Sequence, residues 1–388
     1  MKRYLSLDVL RGMTVAFMCI VNNPGTWGKI YPPLAHAGWE GCTPTDLVYP
    51  FFLFCAGCAM AFSFSKFNGL DGPAVRKIIR RGILIFVVGL LCNLYPFFPT
   101  APDPELSFWQ NWVEWIQGKR VFGVLQRIGM SYMIAGIIAM WLRKPGKILG
   151  AIAVLSIVYT GILLIFGSEP GPFTLEGNIS GKIDVAVAGD AHVYHGYTNA
   201  LGERVAFDPE GLLGSLMGAC TALLGFLAGS LILNAGRKSQ ADPSDIHNST
   251  LGVVSRIFVY GVLSLAFAMI LSIWIPISKP LWSVSYVFLT AGWALVVLGV
   301  LAYFIDYRGV TKPFTMFKIM GTNALTAFVM SAVIAKTMSM LLHTGPAKFF
   351  GGFFTQTQFT SLLWALIFML IIFCIQYILY RKKIIIKL

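Results

Sequence analysis

Ten stretches of mostly apolar side chains recur along the chain, near 5–22, 46–65, 82–95, 121–141, 148–167, 212–233, 255–274, 283–305, 319–341 and 359–380. A helix needs about 20 such residues to cross roughly 30 Å of hydrocarbon, and no water is available there to satisfy an open backbone. The pattern therefore predicts an all-α membrane protein, a bundle of about ten transmembrane helices. Charged residues make up only 12% of the chain, about half the share of a typical soluble domain. The run at 82–95 is short, and its outer end is expected to continue through 95–98. No fixed-period repeat and no Ser/Gly-rich or Pro-rich linker divides the sequence, so a single domain over 1–388 is expected.

The net charge of +13 raises nucleic acid as a partner, but the distribution of the cations argues against it. If the N-terminus is inside, 20 of the 30 Lys and Arg fall in segments on that side. Seven (Lys29, Lys119, Arg120, Lys182, Arg204, Lys279 and Lys348) fall opposite, and Arg11, Arg127 and Lys336 fall within runs. Cations accumulate in cytoplasmic loops, so both termini are read as cytoplasmic. Asp8 and Arg11 interrupt the first run and no small-residue cleavage site follows, so it reads as a retained span rather than a signal peptide. The seven cysteines lie mostly within runs and do not suggest a secreted disulfide framework. Cys55 and Cys58 form a CxxC in the middle of a run, where core packing is the reading.

The loops on the far side, near 23–45, 96–120 and 168–211, are long, and those on the cytoplasmic side are short and basic. Function is therefore expected outside, with the 168–211 loop forming a β-hairpin or irregular cap from stretches such as 182–189. Eleven of the 17 carboxylates lie in these outer segments, which suits a cationic or hydroxyl-rich ligand and equally suits solvation.

Charges inside a bilayer are functional candidates by default. Asp8 and Arg11 share a helix face and either neutralise each other or bind an anionic donor. Arg127, beside Gln126, has no acid nearby in sequence and reads as a site residue. Lys336 sits near the end of its run and is expected to snorkel. His36 lies between Asn22 and Asp46, and histidine as a side chain can take a proton from an amine or hydroxyl near neutral pH and return one to a leaving thiolate. Asp46 reads either as a helix cap or as the group that orients the imidazole. His192 and His195 lack further ligands at a metal spacing, so no metal is expected.

Several ordered segments carry a resemblance: Arg3 through Gly12, Val21-Asn22, His36 through Gly41, Thr45 through Phe51, Arg81, Gly123 through Gly129, Phe207 through Gly211, Ile275 through Tyr286, and Gly321-Thr-Asn323. Together they resemble the heparan-α-glucosaminide N-acetyltransferase family, including its bacterial relatives. The stretch from Asn22 to His36 departs from that pattern, being slightly longer with Asn-Asn-Pro in place of a Gly-rich turn. The resemblance implies a transmembrane acetyltransferase that takes acetyl-CoA from the cytosolic side and acetylates a glucosamine amine of a heparan sulfate-like glycan on the other. It implies that His36 is the active-site histidine, as base or acetyl carrier, and that Asn22 is its partner; Asp46 joins them as a catalytic candidate by its position in the sequence.

On that footing the donor is expected to contact Arg11, Arg76, Arg80, Arg81, Arg127, Lys318 and Asn323. Trp39, Asp208, Glu210, Trp282 and Ser283 are expected to present the acceptor. The expected setting is a bacterial inner membrane, with membrane lipid, an amino-sugar acceptor and a second copy in a homodimer as partners. A transporter, or an O-acetyltransferase of a surface glycan, are the alternatives.

Overall fold

The computed structural model describes residues 4–100, 102–241, 249–342 and 347–386. Lys2, Arg3 and Lys387, counted above among the cytoplasmic cations, lie outside the described residues. The long helices are α1 (Leu5–Val21), α2 (Val48–Phe64), α3 (Gly72–Leu94), α5 (Val124–Leu142), α6 (Pro145–Phe166), α8 (Gly214–Ala241), α9 (Thr250–Leu271), α10 (Val284–Leu301), α12 (Ala324–Leu342) and α14 (Gln358–Arg381). Shorter ones are α4 (Phe108–Gln117), α7 (Ile179–Ala188), α11 (Thr315–Thr322) and α13 (Ala347–Phe354).

Each of the ten apolar runs holds a helix, and eight helices among the described residues are long and apolar enough to cross a membrane. The other two differ for visible reasons. Helix α1 has 17 residues and carries the Asp8–Arg11 pair at 3.7 Å. Helix α3 begins ten residues earlier than its apolar run, because Asp71 accepts the Ala74 amide as N-cap. Its first half therefore holds Arg76, Lys77, Arg80 and Arg81. It ends at Leu94 and does not continue through 95–98.

Close backbone approach organises the interior. Helix α2 packs along α8, where a Cβ on Gly57 would lie 1.9 Å from the Ala222 carbonyl oxygen and one on Gly225 would lie 2.1 Å from that of Phe54. Only glycine permits that crossing, as is usual where helices meet without a hydrophobic drive between them. Helix α1 meets α11, α3 meets α5, and α9 meets α10. Asp306, in the π-helical extension Ala302–Tyr307 of α10, accepts the Leu5 and Ser6 amides at the start of α1.

The 182–189 stretch is not a strand: it lies in α7, whose start is capped by Asn178 accepting the Gly181 amide, and it buries Asp184 on one face. The hairpin falls later, pairing β1 (Tyr197–Thr198) with β2 (Arg204–Val205) antiparallel. The Lys336 ammonium donates to the Cys92, Asn93 and Tyr95 carbonyls, satisfying the open C-terminal end of α3.

Candidate functional site

The segment between α1 and α2 carries His36, and its local chemistry is set by Asp46. One Asp46 oxygen, Oδ2, accepts the Ala37 amide at 2.9 Å, the Thr43 amide at 3.0 Å and lies 3.0 Å from the Thr43 hydroxyl. The carboxylate is thereby locked into the turn that opens α2. Its other oxygen, Oδ1, lies 2.7 Å from His36 Nδ1. Thr43 is the N-cap of this turn, and Asp46, three residues on, completes the capping box with Oδ2 while Oδ1 meets the imidazole. His36 Nε2 has no hydrogen-bond partner among the described residues.

His36 lines a cavity of about 330 Å³ together with Asp46, Arg120, Glu210, Lys279 and Trp282. Tyr194 and Tyr197 form another wall. The connection between α9 and α10 brings Lys279 to 3.1 Å from Asp46 Oδ1 and 3.0 Å from His36 Nδ1. That connection is tied to the His36 loop by the Gly41 amide donating to Ile277 at 2.7 Å and by the Tyr286 hydroxyl donating to the Asp46 carbonyl at 2.6 Å.

Across the cavity Arg120 grips Asp208 with two parallel hydrogen bonds, at 2.7 and 2.5 Å, and also donates to Glu210. Such a fork is stronger than a single neutral bond. Burial opposes the charges on Arg120 and Glu210. Even so, Arg120 and the deeper Arg127 hold Glu210 below its ordinary range, and the two acids raise Arg120 further. Arg127 itself is 1% exposed, with its guanidinium 5.1 Å from the Trp282 ring centroid and Nη2 donating to the Gly211 carbonyl at 3.4 Å. Nearby, Asp184 is fully buried, and burial pushes its carboxyl up to about 7 although the Leu212 amide bonds to it.

The fold thus brings His36, Asp46, Glu210 and Trp282 to one cavity, with Asp208 behind Arg120. Trp39 stands at its edge, its ring against Tyr197 and Phe207 at 5.7 and 4.9 Å and its indole donating to Phe173. Asn22 is exposed at the end of α1 and is not among the lining residues. Ser283 is buried and caps α10 through the Tyr286 amide. Asn323 joins α11 to α12, and its amide holds the Ile384 carbonyl and the Ile386 amide of the C-terminal tail.

The predicted donor cations are dispersed. Arg11 pairs with Asp8, Arg76 and Arg80 are exposed, Arg81 lies over Tyr132 and Lys318 over Tyr380. A crevice of about 550 Å³ between α6, α8, α9 and α10 instead has Lys238 and Arg256 among apolar walls. The described residues contain no cluster of His, Cys, Asp and Glu able to hold a metal; His192 and His195 lie against Lys119, Val193 and Asp190.

Lys279 and Arg120 were missed in the sequence although a signal was present. They belong to the few cations outside the basic segments of the sequence, and each has an acid partner.

The family model described as the catalytic region of heparan-alpha-glucosaminide N-acetyltransferase matches residues 3–174, which include Asn22, His36, Asp46 and Arg127. The chain resembles heparan-alpha-glucosaminide N-acetyltransferases. The human protein of that name is 28% identical over 98% of this chain and 59% of its own length. The mouse protein is 25% identical over 98% of this chain and 60% of its own. The chain therefore spans about six-tenths of the curated relatives it matches, in agreement with the resemblance read from the motifs.

Proposed function

We propose that this chain is a transmembrane acyltransferase that moves an acetyl group from cytosolic acetyl-CoA to an amine of a glucosamine-type sugar on the opposite side. In this reading it forms one domain of ten spans in a bacterial inner membrane, with both termini in the cytoplasm. The carrying observation is the His36 side chain: it lines a cavity, its Nδ1 is fixed by Asp46, and its Nε2 has no partner among the described residues. An imidazole held in this way is suited to general-base work.

The acceptor nitrogen attacks the thioester carbonyl carbon while His36 Nε2 takes the nitrogen's proton. The C–S bond then breaks, and the proton passes to the departing thiolate, leaving an acetamide and free CoA. Asn22, exposed near the end of α1, is assigned to the thioester oxygen as negative charge develops there. Trp282, Trp39 and the tyrosines offer apolar faces to a sugar ring, and Glu210 offers it a carboxylate. On the cytoplasmic side the donor phosphates have two groups of cations available, Arg76, Arg80, Arg81 and Lys318 on one hand and the crevice residues Lys238 and Arg256 on the other.

Incubating the purified chain with labelled acetyl-CoA and a panel of amino sugars and neutral sugars tests this reading. N-acetylated amino sugar is the expected product; O-acetylated sugar or no transfer overturns it. His36→Ala is expected to abolish transfer while CoA binding persists.

A further inference from the structure

Lys279 is a cation on the side where topology disfavours cations, and its ammonium has two specific neighbours. Nζ lies 3.1 Å from Asp46 Oδ1 and 3.0 Å from His36 Nδ1, and those two atoms are 2.7 Å apart. The three close a triangle. A ring nitrogen carries either a proton or a lone pair, so Nδ1 cannot both donate to Asp46 and accept from Lys279. A carboxylate oxygen has two lone pairs and accepts both. The consistent arrangement has His36 Nδ1–H and the Lys279 ammonium each donating to Oδ1. Lys279 therefore acts on His36 as an adjacent charge, with no hydrogen bond to the ring.

The segment that carries this ammonium is held firmly. Trp282, three residues on, has φ 56, a left-handed conformation that a bulky residue keeps only where its surroundings impose it. Its indole is fully buried, donates to the Thr221 hydroxyl at 3.2 Å and packs on Tyr49 and Tyr286. The Ser278 and Tyr286 amides both donate to the Ser283 hydroxyl.

We propose that Lys279 is a positioning residue for acyl transfer. By neutralising Asp46 it keeps His36 in the neutral, Nδ1-protonated form, so that a proton taken by Nε2 is handed on to the leaving thiolate and not retained. A plain carboxylate–imidazole pair stabilises imidazolium; a cation at 3.0 Å opposes it. Other groups also face this site. Cys42 precedes α2, and burial pushes its thiol up to about 12. Tyr194 and Tyr197 come from the hairpin region, and Arg120 and Glu210 from the segments before α5 and α8 are bonded to each other. Asp46 and Lys279 are the charged groups within hydrogen-bond distance of the imidazole among the described residues.

This role rests on the acetyl-transfer reading, but its first test does not require turnover. Diethyl pyrocarbonate acylates unprotonated imidazole, so the pH at which His36 becomes reactive reports its protonation. The full chain in detergent is treated across roughly pH 5 to 9, where histidine titrates, and modification at His36 is counted by peptide mass spectrometry. In Lys279→Met the onset is expected to rise by about one pH unit or more, in Lys279→Arg to match the native protein, and in Asp46→Asn to fall. An unmoved onset in Lys279→Met overturns the proposal. If that variant does not fold, Asp46→Asn decides, since an onset that rises or stays put overturns it equally.

In the acetyl-transfer assay Lys279→Met is expected to lose about tenfold or more in kcat with little change in acceptor KM, and Lys279→Arg to recover most of it. Equal losses in both variants overturn the charge role. A native protein that transfers no acetyl group overturns the acetyl-transfer reading and the Lys279 role with it. An active native protein whose Lys279→Met onset is unmoved overturns the role alone.

Discussion

Two charged clusters line one cavity, and they are built to opposite ends. In Arg120–Asp208–Glu210 both Asp208 oxygens are bonded to Arg120, and Oδ1 also accepts the Glu210 amide. Carboxylates so engaged are poor proton acceptors, so the cluster shapes the wall and fixes the approach to α8. In His36–Asp46–Lys279 the carboxylate is equally saturated, yet the assembly leaves one ring nitrogen without a partner among the described residues. Saturating the supports while leaving a single titratable atom open separates a cluster able to exchange protons from one that stabilises structure.

His36→Ala makes the sharpest break in this comparison, with an expected fall of about 10²–10⁴ in kcat and little change in melting temperature; a large loss of stability would make the two clusters alike. Next is Arg120→Met, which strands two buried acids and should cost about 3–5 kcal/mol of stability, read by chemical or thermal unfolding in detergent. Activity falling without destabilisation would instead put Arg120 on the substrate. Asp46→Asn is expected to lower kcat by about a hundredfold, because the amide no longer enforces the Nδ1–H tautomer, with acceptor binding retained.

The smallest effect is expected at Asp184. Its carboxyl is raised from 3.8 to about 7 by burial, so its contribution to stability is fully present below about pH 4 and is lost as pH rises through about 7. Asp184→Asn should therefore match the native melting temperature near pH 4 and exceed it above pH 7. A constant difference across that window would show that Asp184 does not titrate there.

Much of this was legible in the chain. Residue-by-residue hydropathy located a helix in every apolar run, because a spanning segment must satisfy its own backbone whatever its neighbours do. The pair His36 and Asp46 was legible because ten residues separate them, within reach of one loop. The start of α3 was signalled by Asp71-Gly72-Pro73, a cap followed by an early proline, but the arginines behind it masked the helix. At 182–189 the alternation of apolar residues read as a strand, whereas the Asn178 cap and the burial of Asp184 on one face made it a helix.

Lys279 was not legible as a site residue, since 233 positions separate it from Asp46 and 243 from His36. Nor could composition tell Glu210, held by Arg120, from the other acids of the long loops. The sequence by itself determined a chain of helices long and apolar enough to cross a membrane, because hydrocarbon imposes span length, and His36 stood out because titratable groups are few. Only the tertiary structure decided which distant charges meet at that histidine and which neutralise one another, because such pairing depends on ångström distances between loops that no local pattern encodes.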